Sequence, residues 1–251
     1  MIRVCFLGFG NVNYHLCKAF VGAKDVAVIQ VYNRSKMDSV SFLKDIPTTT
    51  TLSELKEADV YIIGIPDNAI ASFSEAIPVK NKLVIHTSGG VSITELSENN
   101  RRGVLWPLQT FSKSKDVDFK TIPLCLEAEA PTDLELLKRL GNSIAKTIVA
   151  ISSKERATLH LSAVFVNNFV NHLYGVSETL LRKKNIDFNL LKPLILETAT
   201  KIETLSPSEA QTGPAKRNDT KTIEKHLHLL EETPYQQLYK TLTQAIANEK
   251  L

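Results

Sequence analysis

Residues 1–16 read MIRVCFLGFGNVNYHL, and this stretch decides which fold the rest of the chain can build. An apolar run, residues 1–7, is followed by Gly8-Phe9-Gly10 and then by apolar residues at helical spacing over Asn11–Val21. A buried strand that turns at two glycines into a helix is typical of a dinucleotide-binding βαβ unit. Asn13 stands where G-x-G-x-x-G has its third glycine, so either the helix shifts or Asn13 points aside. A strand–turn–helix without a ligand remains the alternative.

The amino-acid composition restricts the classes of function that the chain can have. The chain has 251 residues, a net charge of +3, 43% hydrophobic residues and 23% charged residues, which is ordinary for a soluble protein of one large or two small domains. This charge is too small to predict a nucleic-acid or membrane partner, and no apolar run could span a bilayer. Cys5, Cys17 and Cys125 have neither metal nor disulfide spacing, so we expect a cytoplasmic protein without a bound metal.

Short apolar runs alternate with helical segments over residues 1–152. The runs predicted as strands are Arg3–Leu7, Val26–Tyr32, Val60–Ile65, Lys82–His86, Gly103–Leu105, Ile122–Leu126 and Thr147–Ile151. Because they are apolar on both faces, they predict an α/β fold with a Rossmann-like, doubly wound, mainly parallel sheet. Beyond residue 152 the pattern predicts helices alone, over Ser153–Lys184, Asn189–Leu205, Asp219–Glu231 and Pro234–Asn248. We therefore predict a dinucleotide-binding domain over 1–152 and an all-helical substrate and dimerisation domain over 153–251.

Polar residues follow the second predicted strand, where the ribose of a bound dinucleotide would lie. The sequence there is Asn33-Arg34-Ser35, with no acid to accept from ribose hydroxyls as in an NAD site. Guanidinium, amide and hydroxyl donors suit a 2′-phosphate, which predicts NADP(H); a solvated cation at Arg34 is the alternative. The predicted cofactor-binding residues are Gly8, Phe9, Gly10, Asn11, Val12, Asn33, Arg34, Ser35, Ile65, Pro66, Asp67, Thr87 and Ser88.

Two further loops follow strands whose carboxyl ends bind ligands in doubly wound sheets. In residues 64–68, GIPDN, the backbone of Ile65 and Pro66 is expected against the cofactor, while Asp67 either contacts it or caps a helix. In residues 86–90, HTSGG, Ser88 and two glycines form an open loop for nicotinamide or substrate, and Ser88 is predicted to be catalytic. His86 either faces this loop or is a strand-end residue satisfied by packing.

The helix predicted from Ser153 has a polar stripe at 100° per residue, composed of Arg156, His160, Asn167, Asn171, Tyr174 and Glu178, with Asn168 at its edge. Its other residues are nearly all apolar, so we expect a buried helix whose stripe faces a cleft between the domains. His160 is predicted to protonate a carbonyl, imine or enolate. Asn168 is predicted to be catalytic and Asn167 to bind substrate. The alternative places these side chains in a helical core or a dimer interface.

The segment 211–219, QTGPAKRND, is a loop between two predicted helices. Thr212 and Arg217 are predicted to bind substrate there, because a loop cation can hold an anion. A simple helix connector is the alternative.

Seven segments carry a family resemblance: GFGNV (8–12), NRS (33–35), IPDNAI (65–70), HTSG (86–89), WPLQTF (106–111), LHLSAVFVNNF (159–169) and TGPAKRND (212–219). The chain resembles the family that joins a Rossmann-like NADP-binding domain to a helical C-terminal domain of unknown function. It is similar, as a relative, to pyrroline-5-carboxylate reductase, deazaflavin-dependent NADP reductases and the 6-phosphogluconate dehydrogenase group. The resemblance implies an oxidoreductase that is a homodimer built on the helical domain.

Two positions depart from these relatives. Trp106-Pro107 stands where relatives often have His-Pro, and Val164 stands four residues before Asn168, where β-hydroxyacid dehydrogenases have a lysine. The alcohol chemistry of those dehydrogenases is therefore not expected. We predict an NADP(H)-dependent oxidoreductase that moves hydride to or from a small oxo, imino or hydroxy-acid type substrate in the interdomain cleft. A non-catalytic NADP(H)-binding sensor or scaffold is the alternative.

Overall fold

The computed structural model of the protein describes residues 1–37 and 39–248. Eight strands form one sheet in the order β3-β2-β1-β4-β5-β6-β7-β8. Their bounds are β1 Ile2–Leu7, β2 Val26–Tyr32, β3 Thr48–Thr49, β4 Val60–Ile63, β5 Leu83–His86, β6 Arg101–Pro107, β7 Leu124–Ala128 and β8 Ile148–Ala150. Neighbours pair in parallel except β6 and β7, which are antiparallel. This confirms the predicted mainly parallel α/β sheet; β3 was not predicted.

The strand order reverses at β1, which lies between β2 and β4. Leu7 at the end of β1 is in register with Tyr32 at the end of β2 and with Ile63 at the end of β4. The loops that leave these three strands therefore begin at the same edge of the sheet. In a doubly wound fold, such a reversal opens a crevice for a ligand.

Helices cover both faces of the sheet. They are α1 Asn11–Val21, α2 Ile70–Ala76 and α3 Pro131–Asn142. Side chains of β1 alternate between two apolar clusters, with Phe6 packed in the cluster that contains Leu16 of α1, and Leu7 in the one that contains Ile70 of α2. This burial on both faces explains why the strands read as continuous apolar runs.

Helices alone follow β8 within residues 153–248. They are α4 Ser153–Ala163, a π-helical segment Val164–Phe169, α5 Val170–Arg182, a 3₁₀ helix Phe188–Leu191, α6 Lys192–Lys201, α7 Pro207–Ala210, α8 Thr220–Leu229 and α9 Gln236–Asn248. In the described part of the chain, no helix combines the length and apolar character that crossing a membrane requires.

The compact units of the chain are Met1–Val166 and Asn167–Leu251. The secondary structure changes where the sequence predicts a domain boundary, after residue 152. The first compact unit nevertheless includes α4, because Ser153 and Arg156 at the start of this helix bond to Glu127 of β7.

The long helix predicted from Ser153 is not continuous. A π-helix has more residues per turn than an α-helix, so the spacing of 100° per residue does not hold across the segment Val164–Phe169. The predicted stripe therefore does not continue from His160 in a straight line. The expectation that this helix is buried is wrong for the chain by itself, since Leu161 and Val166 are 58% and 74% exposed.

Candidate functional site

The turn after β1 leaves no room for a side chain at Gly8. Gly8 has φ +85°, which L-residues rarely adopt, and a Cβ there would overlap the side chain of Ile65. Gly10 precedes α1 with extended backbone, no side chain caps this helix, and its first turn contains no acid. The first N–H groups of a helix have no partner within it, so those of Asn11 and Val12 are available to an anion.

Asn13 occupies the position of the missing third glycine. It is fully buried, and its Nδ2 donates to the carbonyl oxygens of Gly8 (2.8 Å), Ile62 (3.1 Å) and Leu7 (3.4 Å). A Cβ on Gly64 would overlap the Asn13 amide. The space that the third glycine usually leaves on the helix is thus provided by Gly64 after β4, and Asn13 points into the turn rather than aside.

Asn33 links the glycine turn to the loop after β2. Its Oδ1 accepts from the backbone N–H of Phe9 (3.2 Å), and its Nδ2 donates to the carbonyl oxygen of Ser35 (2.9 Å). Arg34 and Ser35 are exposed beside it. Asn33 therefore holds the loop that presents the guanidinium.

A groove of about 590 Å³ runs along these loops. The predicted residues that line it are Gly8, Phe9, Gly10, Asn33, Arg34, Ser35, Ile65 and Pro66, and the lining residues that the sequence reasoning missed are Tyr32, Gly64, Asn68, Ala69, Ser72 and Phe73. A second cavity, of about 420 Å³, shares Asn33 and Ser35 with the groove and adds Lys36, Met37, Thr48, Thr49, Thr50, Thr51 and Glu54. The four consecutive threonines were the available signal for this second cavity.

Ser88, in the loop after β5, is bonded to the loop after β4. Its Oγ donates to Asp67 Oδ2 (2.8 Å) and accepts from the backbone N–H groups of Gly90 and Val91 (3.1 Å each). Asp67 does not cap a helix; its carboxylate instead holds the Ser88 hydroxyl. Thr87 and Ser88 are buried. The predicted residues Asp67, Thr87 and Ser88 thus lie together next to the groove residues Pro66 and Asn68.

His160 of α4 lies against the same loop. A Cβ on Gly89 would be 2.7 Å from His160 Nδ1 and 2.7 Å from the Trp106 ring, and a Cβ on Gly90 would be 3.7 Å from His160 Nε2 and 3.6 Å from Asp67 Oδ2. The imidazole packs edge-to-face on Trp106, with ring centroids 5.7 Å apart. The structure therefore brings the predicted proton donor to the loop that contains Ser88, to which Asp67 is bonded. The absence of a side chain at Gly89 makes this approach possible.

Arg156 is the residue of this region to which the sequence reasoning assigned no role. It is 1% exposed, it forms an ion pair with Glu127 (2.9 Å), and it donates to backbone carbonyls of the Ser88 loop. A buried arginine requires an acid, but Glu127 is on β7 and sequence spacing does not identify it.

The remaining predicted residues lie in the second compact unit. Asn167 and Asn168 are exposed in the π-helical segment, where Asn167 Nδ2 donates to Asn168 Oδ1 (3.4 Å). Thr212 and Arg217 are exposed in the turn that contains Gly213, whose φ is +109°. Their assignment to catalysis and substrate binding stays a prediction.

Comparison with known proteins places the chain in a family. The model of a "Domain of unknown function (DUF2520)" matches residues 122–246. A Bacteroides fragilis protein, whose crystal structure is described as that of a "putative NADP oxidoreductase", is 36% identical, with a TM-score of 0.90 over 99% of this chain and 98% of that one. The chain belongs to the DUF2520 family. The predicted resemblance is thereby confirmed.

More distant structures share the fold of this DUF2520 protein. A Thermotoga maritima protein is 19% identical, with a TM-score of 0.73 over 97% of this chain and 96% of that one. A Plasmodium falciparum pyrroline carboxylate reductase, solved with NADP bound, is 16% identical, with a TM-score of 0.60 over 98% of each chain. A search of curated proteins gave no match.

The packing of Asn13 on Gly64 predicts energetic coupling between the two positions. Gly64→Ala should lower the free energy of unfolding by about 1–3 kcal/mol, because the added methyl group overlaps the Asn13 amide. Asn13→Ala should also destabilise, because three buried carbonyls lose a donor. In the double variant the overlap is absent, so its loss in free energy of unfolding should be smaller than the sum of the losses of the two single variants. Urea unfolding of the four proteins measures this, and additive losses would refute the proposed packing.

His86 should make stability depend on pH. It is fully buried, its Nδ1 accepts from the backbone N–H of Ser88 (3.2 Å), and burial, followed by the nearby Arg156 charge, lowers its pKa to about 3. The folded protein keeps this ring neutral, whereas the unfolded chain protonates it near its ordinary pKa of 6.5.

His86 therefore contributes stability above pH 6.5 that is lost as the pH falls towards 3. His86→Asn keeps a hydrogen-bond acceptor for Ser88 but does not titrate in this range. Urea unfolding between pH 7 and 4 should show a steeper loss for the natural protein than for the variant. Parallel losses would contradict a neutral His86.

Proposed function

We propose that this DUF2520 protein is an NADP(H)-dependent oxidoreductase that transfers hydride to or from a small oxo, imino or hydroxy-acid type substrate. The observation that carries the proposal is the groove that begins at the Gly8–Gly10 turn. There the backbone at Gly8 and Gly10, which have no side chains, meets the uncapped end of α1, and this arrangement suits a pyrophosphate. The description of the Bacteroides fragilis relative as an NADP oxidoreductase supports the same cofactor.

The loop after β2 supports NADP(H) rather than NAD(H). Among the described residues that line the groove, none is an acid that could accept from a ribose hydroxyl. Arg34 supplies a charged fork for a 2′-phosphate. The neighbouring cavity adds Lys36 and threonine hydroxyl groups, and the acid that lines it, Glu54, already accepts from the Thr49 hydroxyl. Asn33 is already engaged with Phe9 and Ser35, so its role is to shape the loop.

His160 is the residue we propose as proton donor. When bound, NADPH would supply the hydride, so the chain must supply a proton to the oxygen or nitrogen of the reduced group. The imidazole of His160, beside the Ser88 loop, can donate that proton. Ser88 donates to Asp67, so we assign the hydroxyl to holding the loop and Asp67 against each other. The alternative, a non-catalytic NADP(H) sensor, shares the groove but needs no donor at His160.

Cofactor choice is tested by fluorescence titration with NADPH and NADH. The natural protein should bind NADPH more tightly than NADH. Arg34→Ala should weaken NADPH binding by about tenfold to a hundredfold, because a charge-assisted pair with the 2′-phosphate is lost, and should leave NADH binding unchanged. Arg139→Ala, on the exposed side of α3, is the matched control.

Two outcomes would contradict this cofactor assignment. Binding of NADH as tightly as NADPH would leave Arg34 as a solvated loop cation. Binding of neither nucleotide would make the Gly8–Gly10 segment a turn without a ligand, and the oxidoreductase proposal would fall with it.

We also propose that a second copy of this chain covers the helical part. Among the described residues of 167–248, the buried hydrophobic ones are Ala215 and Leu230. Large apolar side chains stay exposed there: Phe169, Ile186, Leu190, Leu194, Leu196, Ile202, Leu205, Leu229 and Leu242. Soluble monomers rarely expose so much apolar surface, and homodimer interfaces are rich in it. A homodimer through the helical domain is therefore our assignment.

The dimer is tested by light scattering after size-exclusion chromatography. The natural protein should have twice the chain mass. Leu194→Glu, at a position 61% exposed on α6, should give a monomer, because a charge cannot be buried in an apolar interface. Val21→Glu, at a position 42% exposed at the end of α1, should leave the mass unchanged. A natural protein that is monomeric at micromolar concentration would refute the assignment.

A further inference from the structure

Arg156 joins three parts of the first compact unit through one guanidinium. Its Nη1 donates to the carbonyl oxygens of Ser88 (3.2 Å), Gly89 (3.2 Å) and Val91 (2.6 Å). Its Nη2 donates to Glu127 Oε2 of β7 (2.9 Å) and to Ser153 Oγ at the start of α4 (2.9 Å). With 1% of its side chain exposed, these contacts are shielded from water.

Glu127 holds this arrangement from the sheet. Its carboxylate accepts from the backbone N–H of Ser153 (2.8 Å) and from the Ser153 hydroxyl, in addition to Arg156. Ser153 Oγ also accepts from the backbone N–H of Ile93 (3.0 Å). The first turn of α4 is thus fixed to β7 and to the segment that follows the Ser88 loop.

His160 stands four residues after Arg156 in α4, so the two side chains project from the same face, one turn apart. Arg156 holds the carbonyls of the Ser88–Val91 loop, and His160 fills the space above Gly89 and Gly90 of that loop. A rotation or slide of α4 that releases the guanidinium also withdraws the imidazole.

We infer that Arg156 is a positioning residue that sets where the His160 imidazole stands against the Ser88–Val91 loop, with Glu127 as its anchor in the sheet. The consequence at the nicotinamide rests on the proposed function, whereas the placement of His160 does not. A proton donor must lie within hydrogen-bond reach of its acceptor, and about 1 Å of displacement can cost roughly a hundredfold in rate.

Lysine cannot replace Arg156 in this role. An ammonium keeps the charge for Glu127, but it is a single point that cannot reach a carboxylate on one side and three carbonyls on the other. Arg156→Lys is therefore the most informative variant, because it keeps the ion pair with Glu127 and removes the hydrogen bonds to the loop carbonyls. The matched control is Arg102→Lys, since Arg102 also pairs with a glutamate, Glu129, and donates to a backbone carbonyl, that of Leu96.

The first experiment uses NMR chemical shifts to report the position of the His160 side chain, and it needs no cofactor. The Trp106 ring, 5.7 Å away and edge-to-face, shifts the ring-proton resonances of His160 through its ring current. These resonances are assigned by comparison with His160→Gln. In Arg156→Lys they should move towards the values of a histidine far from an aromatic ring, and in Arg102→Lys they should not move. Unchanged His160 resonances in a folded Arg156→Lys protein would overturn the inference.

Glu127→Gln keeps the experiment decisive if Arg156→Lys does not fold. It removes the carboxylate charge but keeps the length of the side chain. The His160 resonances should move in the same direction as in Arg156→Lys. If they coincide with those of the natural protein, Arg156 does not depend on its anchor and the inference fails.

The second experiment measures the consequence at the cofactor with two probes, NADPH and 2′,5′-ADP, which lacks the nicotinamide half. Arg156→Lys should weaken NADPH binding about tenfold, equivalent to about 1.4 kcal/mol, and leave 2′,5′-ADP binding unchanged. Equal loss for both probes would mean a general structural defect and would count against the inference. If the natural protein binds neither probe, the proposed function fails, and the NMR experiment still decides the role of Arg156.

Discussion

The close approach of β4 to the turn after β1 is the constraint on which the rest of this structure depends. Gly8 and Gly64 face each other across the point where the strand order reverses, and neither position tolerates a Cβ. Asn13 uses the space left at Gly64 to donate to carbonyls of both strands' ends. One amide thus ties α1, β1 and β4 together, and the groove opens beyond it. A third glycine on the helix would permit the same approach but would supply no such bonds.

The features that sequence alone could predict are those fixed by local pattern. The strand, the glycine turn and α1 follow from an apolar run, two glycines and helical spacing within residues 2–21. The polar loop Asn33–Ser35 was predictable because it directly follows a buried strand. What Asn33 does there was not predictable, because its bond to Phe9 depends on the parallel register that sets Leu7 beside Tyr32.

Features that depend on contacts between distant residues could not be predicted. The strand β3 is two threonines long and has no apolar run, and pairing with β2 alone makes it a strand. The π-helical segment Val164–Phe169 is only six residues long and contains residues that are also common in α-helices, so sequence periodicity could not reveal it. The exposure of Leu161 and Val166 likewise depends on what covers the helix, which a hydropathy pattern does not specify.

The ion pair between Arg156 and Glu127 is better explained by the orientation that it gives to α4 than by a contribution to the stability of the folded protein. Removing two charges from water costs several kcal/mol, and well-packed apolar residues often serve stability as well or better. Arg156 Nε also has no partner among the described residues, which adds a cost. A planar guanidinium, however, can face three carbonyls and a carboxylate in fixed directions. An apolar pair would leave those carbonyls unpaired and α4 free to slide on the sheet. The arginine therefore attaches α4 to the first compact unit, and this attachment sets the position of the His160 side chain.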